Sequence, residues 1–392
     1  DVAVTNASAL SLFASKDIDL TSGTDLSTQG GAILLASNTD NSAGGGIFMS
    51  DATIKSFGGN ITLGGGDSTG SGHAEGSSFG SNYQRYRGIW ANSSTIDGSG
   101  TSSHGNISLR GRGWQGASWT SSVDADYAVG VDLVNGTIVK TSGTGTISID
   151  GVGGNNNRTD THGVGINFYN GPQIFTSAGS ISLSGTAGTG SARERAGILL
   201  DGGSAPSIYS TSGAITLTGT AGAQETGIKF NAGLNLGWNG TGSGGTGGIT
   251  VKADAMSFAA GFTVKTTGGL VVESVGNSFT SALNWPPSNL NIGSTLGSLT
   301  IGKATNTADI AIGSAQTVSG PITVYGGNIT VNANLNTSGG SATGDVLLKA
   351  TSDILLEAAK SITTTGGDVV LWANSDGGTT NGGVFLDQLS SV

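Results

Sequence analysis

The stretch Gly179–Gly188, "GSISLSGTAG", returns 34 residues later as "GAITLTGTAG" at 213–222. In both copies the apolar residues alternate with polar ones, Ile181-x-Leu183 and Ile215-x-Leu217. That period of two marks a strand with one face buried. Related phrases recur along the chain: "GNITLGGG" at 59, "GNISLRGRG" at 105, "GTISIDGVGG" at 145 and "GGITVKAD" at 247. "GSLTIGKA" at 297, "GPITVYGG" at 320, "GDVLLKAT" at 344 and "GDVVLWAN" at 367 follow. Measured on the first core residue, the steps are Ile61 to Ile107 (46), then Ile147 (40), Ile181, Ile215 and Ile249 (34 each). Near the ends they shorten to 23, from Leu10 to Ile33 and from Val346 to Val369.

Two further short strands separate these phrases. One opens on Gly-Ile or Gly-Val, as in "GIFM" (46), "GIW" (88), "GVDL" (130), "GINF" (165), "GILL" (197) and "GIKF" (227). The other is a turn and strand, as in "ATIKS" (52–56), "GTIVKTS" (136–142) and "SIYSTS" (207–212). Three strands joined by Gly, Ser and Asn corners make one coil. One coil cannot bury its apolar face, but stacked coils share a continuous internal column. The expected fold is all-β, a parallel β-helix with right-handed crossovers. About 13 coils at ~4.8 Å each would give a rod of roughly 60 Å. It reads as one segment, with short coils over 1–66, coils with long corner loops over 67–250, and short coils again over 251–392.

Composition agrees and excludes much. Glycine (71) and proline (5) make up about 19% of the 392 residues, below the level that signals disorder. A net charge of −10 argues against nucleic acid and anionic membranes as partners. No apolar run approaches membrane-spanning length, so membrane insertion is not expected. With no cysteine there are no disulfides and no thiolate metal sites.

The rungs "DILLEAAKSITTTGGDVVLWANSDGG" (353–378), "GGAILLASNTDNSAGGGIFMSDATIKSFGGNITLGGG" (30–66), "ISLSGTAGTGS" and "ITLTGTAG" resemble the filamentous haemagglutinin-like proteins. These are large secreted adhesins of Gram-negative bacteria, exported by the two-partner route or as autotransporters. The likeness spans nearly the whole chain, although its motifs are general rung grammar. It implies an extracellular or outer-surface location and a stalk-like adhesive role toward glycans or cell-surface receptors. The Asn-Pro-Asn motif of that family's secretion domain does not occur here. If the family holds, the chain lies downstream of that domain.

Other β-helices cleave polysaccharides, as lyases or glycoside hydrolases, with clustered carboxylates or with basic residues beside calcium. "NTD" at 38–40 echoes one such signature, but no Asp-Asp pair follows it. Asp40 then reads as a turn residue. Asp124, Asp126 and Asp132 in "VDADYAVGVD" lack the order of a calcium loop and read as solvated loop carboxylates. The expectation is no catalytic residue, no metal and no cofactor.

One region stands out. Residues 79–119 hold four of the arginines and three of the six tryptophans, including Trp90, which reads either as part of a sugar site or as a core residue of its strand. Aromatic faces beside guanidinium groups suit sugar rings and acidic glycans. The extra length of the middle coils falls nearly all at one corner, after the repeated phrase. The in-register loops are expected to stack into a side platform carrying Tyr83, Arg85, Tyr86, Arg112, Trp114 and Trp119, with Arg158 and Arg193 further along. Finally, residues 9–40 align without a gap onto 345–376, with 11 of 32 identical at an offset of 336. That periodicity leads to the expectation of a parent fibre repeating a unit of about this length, with end-to-end self-association of the excised piece.

Overall fold

The computed structural model describes residues 1–41, 44–77, 83–116, 127–155, 162–190, 194–221, 225–293, 296–337, 344–378 and 382–392. For Tyr83 and Gln84 it describes the backbone alone. The chain is a parallel β-helix. A long sheet runs the length of the molecule and contains every repeated phrase, from Leu10–Phe13 through Ile107–Arg112 and Ile181–Thr186 to Val369–Trp372. In each N-terminal coil the chain passes from a ten-stranded sheet to the long sheet, then to an eight-stranded sheet. All the strand pairs of these paths are parallel, with Ile61, Ile107, Ile147, Ile181, Ile215 and Ile249 directly in line.

The period-two pattern is realised as burial. Ile181 and Leu183 are 1% and 0% exposed, while Ser182 between them is exposed. Burying each such aliphatic side chain stabilises the fold by roughly 1.5–3 kcal/mol. The inward residues of the sheets merge into one core column from Ile18 to Ile362. The Gly-Ile/Val strands supply a second aligned row: Ile47, Ile89, Val131, Ile166, Ile198 and Ile228.

Glycine fixes the corner between these two rows. Gly111, Gly151, Gly185 and Gly219 stand in register at the ends of the long-sheet strands. A Cβ on any of them would lie 2.0–2.1 Å from the carbonyl oxygen of Gly130, Gly165, Gly197 or Gly227, respectively. The glycine ending each phrase and the glycine opening the next strand thus let two backbone segments touch.

The long corner segments all leave the chain at this position, between the long and eight-stranded sheets, as the spacing predicts. Their described parts pack on the outer face of the eight-stranded sheet. Its outward row reads Asp19, Phe48, Trp90, Asp132, Asn167, Leu199, Lys229 and Ser257. Phe48, Asp132, Asn167 and Leu199 are buried there, outside the main core. Trp90 belongs to this outward row and is half-buried; the core positions of its strand are Ile89 and Ala91. Val129, Val164, Ala196 and Leu199 form a second, smaller core, with Tyr127 against it.

Toward the C-terminus the ten- and eight-stranded sheets end at Leu290–Ile292 and Met256–Phe258. A five-stranded and a three-stranded sheet take their places. Stacked rings of Phe230, Phe258 and Phe262, with centroids 4.6–5.4 Å apart, lie in this transition. The 336-residue offset also has a structural counterpart. Asp17 accepts a hydrogen bond from the Gly46 amide (2.9 Å), and Asp353 accepts one from the Gly383 amide (2.8 Å), the glycines standing one residue out of step with the offset. Asn38 and Asn374 share the left-handed conformation, with φ of 51° and 50°.

Candidate functional site

The corner loops are held by charge pairs that engage two of the four arginines of residues 79–119, Arg85 and Arg87. Arg85 closes a short helical turn, Tyr83–Tyr86, and its guanidinium pairs with Asp17 and with Asp19 (3.1 Å). It also lies 5.8 Å from the centre of the Phe48 ring. Arg87, 5% exposed, pairs through Nε with Asp132, which is 1% exposed. The other Asp132 oxygen accepts from Asn167 Nδ2 at 2.7 Å. Asp132 is therefore a buried structural carboxylate on strand Val131–Val134, not the solvated loop group expected. The outward row of the covered sheet carries it under the loops. Asp124 and Asp126 lie outside the described residues. Further along, Arg195 pairs with Glu225 and Lys229 with Glu194, each at 2.5 Å. Tyr127, His162 and Glu194 follow one another through bridge pairings, and the Tyr127 and His162 rings lie 4.6 Å apart.

Of the eight residues expected on the platform, Tyr86 and Trp114 meet, with ring centroids 5.9 Å apart. The Trp114 amide donates to the Tyr86 carbonyl at 2.9 Å, tying two loops together. Arg112 ends the strand Ile107–Arg112 beside Glu75, its partner in the ladder. Among the described residues, the buried Arg112 Nε has no hydrogen-bond partner. Arg85 turns instead toward the first coil. The side chain of Tyr83 lies outside the described residues, as do Trp119, Arg158 and Arg193.

A groove of about 330 Å³ opens beside this cluster, lined by Asn38, Asn41, Glu75, Trp114 and Gln115 with glycines between. Burial pushes the Glu75 carboxyl above its ordinary range, against the opposing pull of Arg112 and His73. His73 Nε2 lies 3.1 Å from Asp150 Oδ2. Sequence reading missed Glu75, because nothing in "GHAEG" shows that the loop returns to pair with Arg112. Asp40 is exposed in the turn after Asn38. Among the described residues no group of three or more His, Asp or Glu side chains is placed to hold a metal ion.

Fold and site together define a parallel β-helix with a side structure of packed corner loops. No protein-family model, curated protein or solved structure matches the chain.

Proposed function

We propose that the chain is a structural and adhesive segment of a secreted bacterial surface fibre, non-catalytic and of the filamentous haemagglutinin type. Its corner loops would hold glycans or a cell-surface receptor. The observation that carries this reading is the way the loops are built. They are pinned onto the eight-stranded sheet by the buried Arg87–Asp132 pair and a small core of their own. Loops fixed on a rigid scaffold are where recognition usually resides. The rung grammar supports the family, and the exposed strand Val384–Leu386 offers a surface for end-to-end association. Sedimentation at rising concentration tests that association, and a monomer throughout would exclude it.

One observation favours a polysaccharide lyase or hydrolase on the same fold. Glu75 sits in a groove beside Trp114 with its carboxyl raised, as a general acid requires. Incubating wild type and Glu75→Gln with pectins, alginates and neutral glycans separates the two. Adhesion predicts intact chains with both proteins. Cleavage by wild type that Glu75→Gln abolishes would establish the enzyme.

A further inference from the structure

A different corner, where the ten-stranded sheet turns into the long sheet, carries a groove of about 530 Å³. Gln29, Lys55, Phe57, Thr101, Ser103 and Ser142 are among its walls. The loop 98–105, inserted between Thr95–Asp97 and Ile107–Arg112, forms one side. Three features of this place need explaining.

Phe57 is the first. Its φ is 52°, a region in which a Cβ crowds the neighbouring carbonyl, and its side chain is 39% exposed. Four residues before the aligned Ile147 the same place is held by Gly143, with φ of 49°. Glycine would fit this turn without strain. An aromatic ring here serves neither the backbone nor the core.

Lys55 is the second. Its Nζ stands 4.2 Å from the centre of the Phe57 ring, and no carboxylate among the described residues lies within 4.0 Å of it. The neighbouring Asp97 is buried and already engaged, with Lys140 at 3.3 Å and the Ser99 amide at 2.8 Å. Asp97 also lines the groove and is the ladder neighbour of both Lys55 and Lys140, so two lysines face one carboxylate and the row carries one excess positive charge.

The third is a fixed rim of hydroxyls. Ser142 Oγ exchanges hydrogen bonds with the backbone of Gly100, at 3.2 and 3.1 Å, and lies 3.0 Å from His104 Nδ1. The loop closes on itself through the Gly105 amide and the Gly98 carbonyl, 3.1 Å apart. A Cβ on Gly58 would lie 2.2 Å from Ser103 Oγ, so the loop is seated directly on the Phe57–Gly58 turn. A wall already ordered costs little entropy on binding.

We infer that this groove binds a carboxylate-bearing pyranose of an acidic polysaccharide. The apolar face of the sugar lies on the exposed part of Phe57, its carboxylate meets Lys55 Nζ, and its hydroxyls meet the serine and threonine rim. The inference rests on the glycan-binding reading above, and places a contact at a second corner with a stated ligand chemistry.

Calorimetric titration with oligogalacturonate and oligomannuronate, each against its carboxyl-reduced neutral form, tests it. Wild type should bind at least one carboxylated oligomer ten-fold or more tighter than the reduced form. Lys55→Met should erase that ratio. Phe57→Gly should weaken binding at least ten-fold while the thermal midpoint stays level or rises, because glycine suits the turn. Two results would overturn the groove: no preference for either carboxylated form, or binding that both variants leave intact. Binding that falls with Trp114→Ala, but not with Phe57→Gly or Lys55→Met, would reject the groove and leave the corner-loop reading standing.

Discussion

Arg87 and Asp132 are two opposite charges taken out of water beneath the corner loops, and each depends on the other. Removing Arg87 leaves Asp132 buried with, among the described residues, the Asn167 amide as its remaining side-chain partner. Arg87→Ala should therefore lose about 3–5 kcal/mol in urea denaturation. Replacing both partners with apolar residues of similar size should recover much of that loss. An Arg87→Ala protein as stable as wild type would show that the pair does not hold the loops. Glu75 makes the complementary case. Its folded carboxyl is raised, so the folded state holds its proton more tightly than the unfolded state does. Its contribution is neutral below the ordinary Glu pKa of 4.5, and becomes destabilising as pH rises from there through the raised folded value. Thermal midpoints across pH 4–8 should show this decline in wild type and lose it in Glu75→Gln. An unchanged profile in the variant would assign the decline to other groups. Neither residue is legible in the sequence as structural: "QRYRG" looks like a free basic patch until Asp17, Asp19 and Asp132 are brought to it.

At the scale of the strand, the sequence is at its most readable. Ile181-x-Leu183 and its relatives declare which side chains point inward, and the spacing of the phrases gives the register residue for residue. The glycine that closes each phrase is readable in position, but its reason is visible only in three dimensions. At Gly185 a methyl group would strike the Gly197 carbonyl at 2.0 Å, and backbone cannot step aside as a side chain can. Gly185→Ala should cost at least about 1–3 kcal/mol, with hydrogen exchange quickening first in strands Ile181–Thr186 and Ala196–Asp201. Wild-type protection in those strands would refute the close-contact account. The outer face of the eight-stranded sheet was the illegible part. Phe48, Asn167 and Leu199 break the alternation because a second layer covers them, and a loop's landing place is not written in its own composition. The groove at Phe57 was hidden for a related reason: nothing in "SFGG" shows that its aromatic residue takes a left-handed backbone conformation.

Across the whole molecule, one scaffold supports two different surfaces. The long sheet and its core set a repeating frame, and the insertions decorate it at two corners. One carries the Tyr86–Trp114 cluster with Glu75; the other carries Phe57 and Lys55. The account's central claim is that these surfaces hold saccharide and leave it intact. The most direct measurement is the chain-length distribution of pectin, alginate and a neutral glycan after long incubation with stoichiometric protein. The account predicts distributions identical to those without protein. Reproducible shortening that disappears in Glu75→Gln would contradict it.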